Sequence, residues 1–158
     1  MKKLWNGLCF KWVLISEFVG VLSGLISMSG MERFDSLSVK APLNPPGWVF
    51  ALVWPILYAL MGIGVCLVFK RGERDGVTSC ANLFVVQLIV NFFWSPIFFN
   101  TSAFGFSLIW ILLLWCMVLL MTVCFANISK IAALIQVPYI IWLSFAVYLN
   151  AAVWVLNR

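Results

Sequence analysis

Five long apolar stretches, separated by short polar connections, dominate this sequence. They cover about residues 12–31, 48–69, 79–99, 104–126 and 131–156. Each is long enough for a helix to cross the hydrocarbon core of a bilayer, which takes about 20 residues. Only 9% of the residues are charged, whereas a soluble domain carries roughly 25%. The sequence therefore predicts an all-α membrane protein, a single domain over residues 1–158 folded as a bundle of five transmembrane helices.

The first apolar stretch follows two lysines, as the apolar core of a signal peptide does, and Ser27–Gly30 is a weak cleavage site. Its length favours a first transmembrane helix that is kept in the mature protein. The stretch contains a Gly-xxx-Gly at Gly20 and Gly24, a spacing that lets helices approach closely, either within the bundle or between two chains. Glu17 is the one acid inside a predicted span, so it is either a functional group or the partner of Lys11 in an interfacial salt bridge.

The ten basic residues are divided unequally between the two sides of the predicted bundle. The N-terminal side carries seven, and the other side carries Arg33, Lys40 and Arg158. The positive-inside rule predicts a cytoplasmic N-terminus in a bacterial cell membrane. The alternative is the outer membrane of a bacterium or a mitochondrion. The basic residues are scattered and form no stripe, which argues against a nucleic-acid partner.

Residues 32–47 form the longest polar connection and contain three prolines. The segment shows no helical or strand period, so the sequence predicts a loop that covers the mouth of the bundle as a lid. The connection at 70–76 is predicted to be a plain turn.

The sequence contains few candidate residues for metal binding or for acid–base catalysis. The chain has no His, and its five Cys, at 9, 66, 80, 116 and 124, form no Cys-x-x-Cys pair. Zinc and haem-iron sites of the usual types are therefore not expected. The cysteines are expected to be buried and unpaired. No pair of side chains suited to general acid–base catalysis is present within the spans.

Aromatic and polar residues recur on single faces of three predicted helices. In the second span, Phe50, Trp54 and Tyr58 are four residues apart and share a face. The third and fifth spans each place polar and aromatic side chains on one face: Gln87, Asn91, Trp94 and Ser95, and Trp142, Ala146, Leu149 and Asn150. Such faces indicate either hydrogen bonds and ring packing inside the bundle or the wall of a pocket for a flat apolar ligand.

Three motifs in these spans resemble the translocator protein / tryptophan-rich sensory protein family, once called the peripheral benzodiazepine receptor. They are Pro45-Pro46-Gly47-Trp48-Val49-Phe50 continuing through Trp54 to Met61-Gly62, then Gln87-xxx-Asn91-xx-Trp94-x-Pro96, and Pro138-Tyr139-xx-Trp142-xxx-Ala146-xx-Leu149-Asn150. The resemblance implies a five-helix membrane bundle, often a homodimer. It also implies a pocket under the first loop for porphyrins, sterols and isoquinoline- or benzodiazepine-type ligands.

By this resemblance, Trp54 and Trp142 correspond to the tryptophans associated with porphyrin binding and photochemical breakdown, and both are expected to face one cavity. The other expected ligand-binding residues are Phe50, Tyr58, Asn91, Trp94, Ala146, Leu149 and Asn150. The chain departs from the family's pattern at Leu43 and Phe106, where tryptophan is common. Tyr148 has no basic residue within about five positions after it, so the sterol motif is not met.

The sequence is compatible with several functions. The first is a membrane protein that binds, transports or senses porphyrins and similar flat apolar ligands, with no cofactor required. The second is an enzyme that degrades porphyrin with light and oxygen, with oxidisable Trp54 and Trp142 as its candidate residues. The third is a membrane scaffold or regulator of stress or tetrapyrrole metabolism. A small drug-efflux pump is disfavoured because Glu17 is poorly placed for proton coupling.

Overall fold

The structure, a computed structural model, describes residues 2–37, 39–71 and 74–158. Its helices are α1 (Lys2–Leu37), α2 (Gly47–Arg71), α3 (Arg74–Ser95), α4 (Phe104–Ile128), α5 (Lys130–Leu134) and α6 (Val137–Leu156), and a π-helical turn (Pro96–Asn100) continues α3. The described residues contain five helical stretches long and apolar enough to cross a membrane. The predicted all-α membrane bundle of five spans is thereby confirmed. The predicted turn at 70–76 is centred on residues 72 and 73, which lie outside the described residues.

Two prolines interrupt helices without ending the spans that contain them. Pro96 begins the π-helical turn, and Pro138 stands in the first turn of α6. A proline lacks the backbone N–H that an α-helix needs, and its ring crowds the preceding turn. The fifth span is therefore built from two helices, α5 and α6, and the third span ends in a widened turn.

The predicted lid is shorter than the sequence suggested, because α1 continues to Leu37. The prediction of a loop over 32–47 is wrong in its first part, and the irregular connection occupies residues 39–46 among those described. Charged residues at 32, 33 and 35 made this end of α1 resemble a loop. No glycine or proline between Met31 and Leu37 interrupts the helix, however.

Packing of one ring explains why this last part of α1 is helical. Phe34 contacts Phe98, Phe99 and Phe104 with ring centroids 5.3, 5.5 and 6.0 Å apart. Arg33 donates a hydrogen bond to the backbone carbonyl of Asn100 at 3.0 Å. These tertiary contacts override the polar composition, as is usual for marginal helix ends.

Close packing between α1 and α2 depends on a glycine of α2. A Cβ placed on Gly62 would lie 2.6 Å from the Cα of Val13, so the two backbones touch there. Gly20 lies against the ring of Tyr58, whereas a Cβ on Gly24 would meet nothing within 4 Å. Of the Gly-xxx-Gly pair, only Gly20 is therefore used for close packing in the bundle.

Four of the five cysteines form disulfides, which corrects the expectation of unpaired thiols. Cys9 in α1 is bonded to Cys66 in α2, and Cys80 in α3 to Cys124 in α4. Cys116 is free and exposed. The bonded partners are 57 and 44 residues apart, so no local spacing could reveal them. Both disulfides lie near the end of the bundle where α1 begins, which is called the N-terminal end below.

Candidate ligand-binding cavity

A cavity of about 870 Å³ opens between α1, α2, the α3 region and α6 at the end of the bundle opposite the N-terminal end. The 39–46 loop contributes part of its wall, including Ala41, Asn44 and Pro45. Pockets for drug-sized ligands range over about 300–1,000 Å³ and are mostly apolar. This cavity is therefore large enough for a sizeable flat molecule, and the role of the loop as its lid stays a prediction.

Of the residues expected to bind ligand, eight line the cavity. They are Phe50, Trp54, Tyr58, Asn91, Trp94, Ala146, Leu149 and Asn150. The helices α2, α3 and α6 bring them together, each with one inward face.

Trp142 does not line the cavity, so the expectation that it shares one cavity with Trp54 is not met. Its ring contacts Phe50, with centroids 5.6 Å apart, and Phe145 at 5.8 Å. Its buried indole N–H finds no hydrogen-bond partner within the described part of the chain. Phe50, by contrast, does line the cavity, so Trp142 contributes to this site through a neighbouring ring.

Aromatic rings form one continuous wall. The ring of Trp54 lies 5.7 Å from Tyr58 and 6.5 Å from Trp94, and the ring of Trp94 stacks on Phe98 at 5.4 Å with 24° between the planes. Aromatic pairs at such distances stabilise one another and hold their orientation. The wall is therefore a fixed apolar surface on which a flat guest can stack.

A chain of buried hydrogen bonds runs from this wall into the bundle. The hydroxyl of Tyr58 donates to Oδ1 of Asn91 at 2.7 Å, and Nδ2 of Asn91 donates to the hydroxyl of Tyr139. That hydroxyl donates in turn to Oε1 of Gln87 at 3.3 Å. The side chains of this hydrogen-bonded chain partner one another, which avoids the cost of burying each alone. This chain of hydrogen bonds holds Tyr58 and Asn91 in place where they border the cavity.

Asn150 is held in the same way. Its Oδ1 accepts from the indole Nε1 of Trp94 at 3.3 Å, and its Nδ2 donates to the carbonyl of Phe104 at 3.0 Å. The amides therefore hold the bundle together and border the cavity at once. The sequence left two interpretations of these amides, hydrogen bonding inside the bundle and lining a pocket. The structure is compatible with both.

Polar groups of the cavity wall that remain available to a guest include the indole of Trp54 and the carboxylate of Glu17. Trp54 donates no hydrogen bond from its indole within the described residues, and Glu17 forms neither an ion pair nor a hydrogen bond there. Lys11 does not pair with Glu17, contrary to one of the two interpretations of that acid. The ion pair that the described residues do contain joins Lys40 and Asp35, at 2.7 Å, and both residues border the cavity.

The lid loop is attached to α6 by hydrogen bonds. The backbone N–H of Val39 donates to Oδ1 of Asn157 at 2.8 Å, and Nδ2 of Asn157 donates back to the carbonyl of Val39 at 2.8 Å. The hydroxyl of Tyr148 donates to the carbonyl of Pro42 at 3.2 Å. Sequence reasoning missed these anchors, since the side chains lie more than a hundred positions from the loop.

Sequence reasoning also missed Phe34, Phe98 and Phe99 as cavity residues. Phe34 fell in the segment predicted as loop. Phe98 and Phe99 follow Pro96 at the end of the second motif, in the third span, and that position was the only signal for them.

Comparison with known proteins agrees with this geometry. The sequence profile of the TspO/MBR family matches residues 12–155. The chain belongs to the TspO/MBR family. This confirms the resemblance that the three motifs indicated, and the match spans every residue that lines the cavity.

Named relatives of the TspO/MBR family align over most of the chain. The tryptophan-rich protein TspO of Chlorobaculum tepidum is 41% identical over 140 residues, which is 88% of this chain and 89% of the relative. The human translocator protein is 37% identical over 87% of this chain and 80% of its own length. The tryptophan-rich sensory protein of Cereibacter sphaeroides is 29% identical over 92% of both chains.

Proposed function

We propose that this TspO/MBR protein binds a porphyrin or a similarly flat, largely apolar molecule in the cavity and transports or senses it. The observation that supports the proposal is the aromatic wall of Trp54, Tyr58 and Trp94, which is held rigid by hydrogen bonds from behind. Stacked rings contribute about 0.5–1.5 kcal/mol each beyond the area they bury. A macrocycle stacked on this wall would place its carboxylates at the mouth, where Lys40 lies.

Ala146 offers a direct test of cavity occupancy. It borders the cavity and its side chain is 5% exposed, so Ala146→Phe would place a ring in the space meant for the ligand. Protoporphyrin IX is titrated into the protein in lipid nanodiscs and followed by quenching of tryptophan fluorescence. We expect Ala146→Phe to weaken binding at least tenfold, or about 1.4 kcal/mol.

The matched control is Ala126→Phe, the same change at an exposed position of α4 outside the cavity. It should bind protoporphyrin IX as the wild type does. Thermal unfolding of both variants checks that they are folded. Equal affinity of a folded Ala146→Phe variant and the wild type would refute binding in this cavity. Flux of the same porphyrin across reconstituted vesicles then separates transport from sensing or a scaffold role.

Light- and oxygen-dependent breakdown of the porphyrin is the second candidate function. The favouring observation is that Trp54 borders the cavity and donates no hydrogen bond from its indole within the described part of the chain. An oxidisable ring would thereby lie against the bound macrocycle. Loss of the porphyrin absorbance band in light, but not in darkness, would support this function.

For the membrane, we propose a cell membrane with the N-terminal end cytoplasmic, on the seven-to-three division of basic residues. We also propose a homodimer, by the family resemblance alone. Cysteine-accessibility labelling from each side of sealed vesicles tests the orientation. Mass measurement of the protein in native nanodiscs tests the dimer.

A further inference from the structure

Glu17 is an acid within a membrane span whose side chain borders the cavity. It lies inside the apolar stretch Gly7–Ser36 of α1. A charged side chain at membrane depth is costly unless it is paired or faces a polar space, and such residues mark ligand or ion sites. The proposed function of the cavity makes no use of Glu17.

The protein does not supply a cation for this acid within the described residues. Lys11 lies on the same helix but forms no ion pair with it. Lys40 borders the cavity, but its ammonium is 2.7 Å from the carboxylate of Asp35. Glu17 therefore presents an uncompensated acceptor to whatever occupies the cavity.

The neighbouring donors are already used within the bundle. The hydroxyl of Tyr58 donates to Asn91, and the amide of Asn91 donates to Tyr139. The hydroxyl of Ser23 donates to the carbonyl of Phe92 at 2.7 Å. At the Glu17 end of the cavity, the donors of Tyr58, Asn91 and Ser23 are therefore not free to meet the carboxylate. A ligand that satisfies this end must bring the donor itself.

Aromatic rings beside Glu17 also favour a cation. Gly20 lies three residues after Glu17, one helical turn away, and the ring of Tyr58 packs directly against Gly20. Trp54 stacks near Tyr58 at 5.7 Å. A positively charged nitrogen near these faces gains cation–π attraction in addition to its attraction to the carboxylate.

We propose that Glu17 is an acceptor subsite that selects flat apolar ligands bearing a positively charged N–H group. The inference rests on the proposed function, since it assumes that the cavity holds a flat apolar guest. The body of the ligand stacks on the Trp54 wall, and its charged nitrogen donates to the Glu17 carboxylate. The subsite thereby distinguishes an amine from a neutral molecule of the same shape.

A matched pair of fluorescent probes tests this selection. The probes are 1-pyrenemethylamine, which is protonated at neutral pH, and 1-pyrenemethanol, which is uncharged and of nearly the same shape. Binding to the full chain is measured by fluorescence in nanodiscs of phosphatidylcholine, and empty nanodiscs correct for partition into lipid. Wild type should bind the amine about tenfold more tightly than the alcohol, as expected for about 1.4 kcal/mol from a charge-assisted hydrogen bond.

Three variants separate the subsite from general effects of charge. Glu17→Gln should lower the preference for the amine over the alcohol to about one, whereas Glu17→Asp should keep part of the preference. Glu32→Gln is the same change at an exposed position of the same helix, outside the cavity, and should keep the full preference. An unchanged preference in folded Glu17→Gln, a wild type without preference, or a wild type that binds neither probe would each overturn the inference.

Competition with protoporphyrin IX distinguishes failure of the inference from failure of the proposed function. If protoporphyrin IX displaces the alcohol but Glu17→Gln keeps the preference for the amine, the inference fails alone. If the preference depends on Glu17 but protoporphyrin IX displaces neither probe, the porphyrin proposal fails and the amine subsite stands.

Discussion

Removing the anchor of the lid loop should speed the exchange of ligand. Asn157, just after α6, joins the backbone of Val39 through two hydrogen bonds, both 2.8 Å long. The change Asn157→Ala removes both, together with the hydrogen bond that Nδ2 of Asn157 donates to the carbonyl of Val153 in α6 at 2.8 Å, while the helix keeps its own backbone hydrogen bonds. Tyr148→Phe removes only the single hydrogen bond to Pro42, at 3.2 Å.

The expected shift in the equilibrium between the closed and the open loop follows from these contacts. A hydrogen bond of this kind contributes about 0.5–1.5 kcal/mol net, and the exposure of Val39 favours the lower half of that range. Two bonds therefore amount to about 1–2 kcal/mol, or a factor of about 5–30 in the equilibrium between closed and open loop. One longer bond, as at Tyr148, predicts a factor of about 2–5. Since neither Val39 nor Asn157 lines the cavity, binding and release should both accelerate and affinity should change little.

Stopped-flow displacement of protoporphyrin IX in nanodiscs measures the release rate. We expect the order Asn157→Ala, then Tyr148→Phe, then wild type, from fastest to slowest. Asn127→Ala is the control, since Asn127 is an exposed residue at the N-terminal end of the bundle, far along the chain from the loop. A release rate unchanged in Asn157→Ala would show that the 39–46 loop does not limit access to the cavity.

Further predictions concern the tryptophans, a glycine and a disulfide. Under illumination with protoporphyrin IX, Trp54→Phe should slow any breakdown of the absorbance band much more than Trp142→Phe, because only Trp54 borders the cavity; equal effects would contradict this. Gly62→Ala should lower stability by about 1–3 kcal/mol in thermal unfolding, since its Cβ meets backbone, whereas Gly24→Ala should not destabilise. Replacing both Cys80 and Cys124 of the α3–α4 disulfide by serine should lower the free energy of unfolding by about 2–4 kcal/mol. Cys116→Ser, at the free thiol, should leave the melting temperature unchanged.

The five-span bundle could be predicted from the sequence because a bilayer allows few alternatives. Backbone polar groups in hydrocarbon must be satisfied within the segment, so an apolar run such as 104–126 can only be a helix. The inward faces followed from helical spacing, which correctly grouped Phe50 with Trp54 and Asn91 with Trp94 at the cavity wall.

Other features depended on contacts between distant segments. Ala146 lies one turn beyond Trp142 on the same face of α6, yet only Ala146 borders the cavity. Helical spacing gives the direction in which a side chain points, but the depth at which a cavity ends depends on neighbouring rings such as Phe50. The continuation of α1 to Leu37 likewise depends on Phe34 meeting rings more than sixty residues away.

The two disulfides and the proposed orientation can both be correct only if the disulfides are protected from reduction. Both disulfides lie at the N-terminal end, the end where most basic residues are found and which the positive-inside rule assigns to the cytoplasm. Disulfides persist in oxidising compartments and are rare where cellular thiols are reducing. Cys66 and Cys80 are 0% and 1% exposed, and their partly exposed partners Cys9 and Cys124 lie within membrane-spanning helices, so burial by protein and lipid together limits the access of a thiol reductant in water. A cytoplasmic N-terminal end is therefore compatible with intact disulfides only if burial protects them. In intact membranes, both bonds should resist a water-soluble reductant until the protein is unfolded.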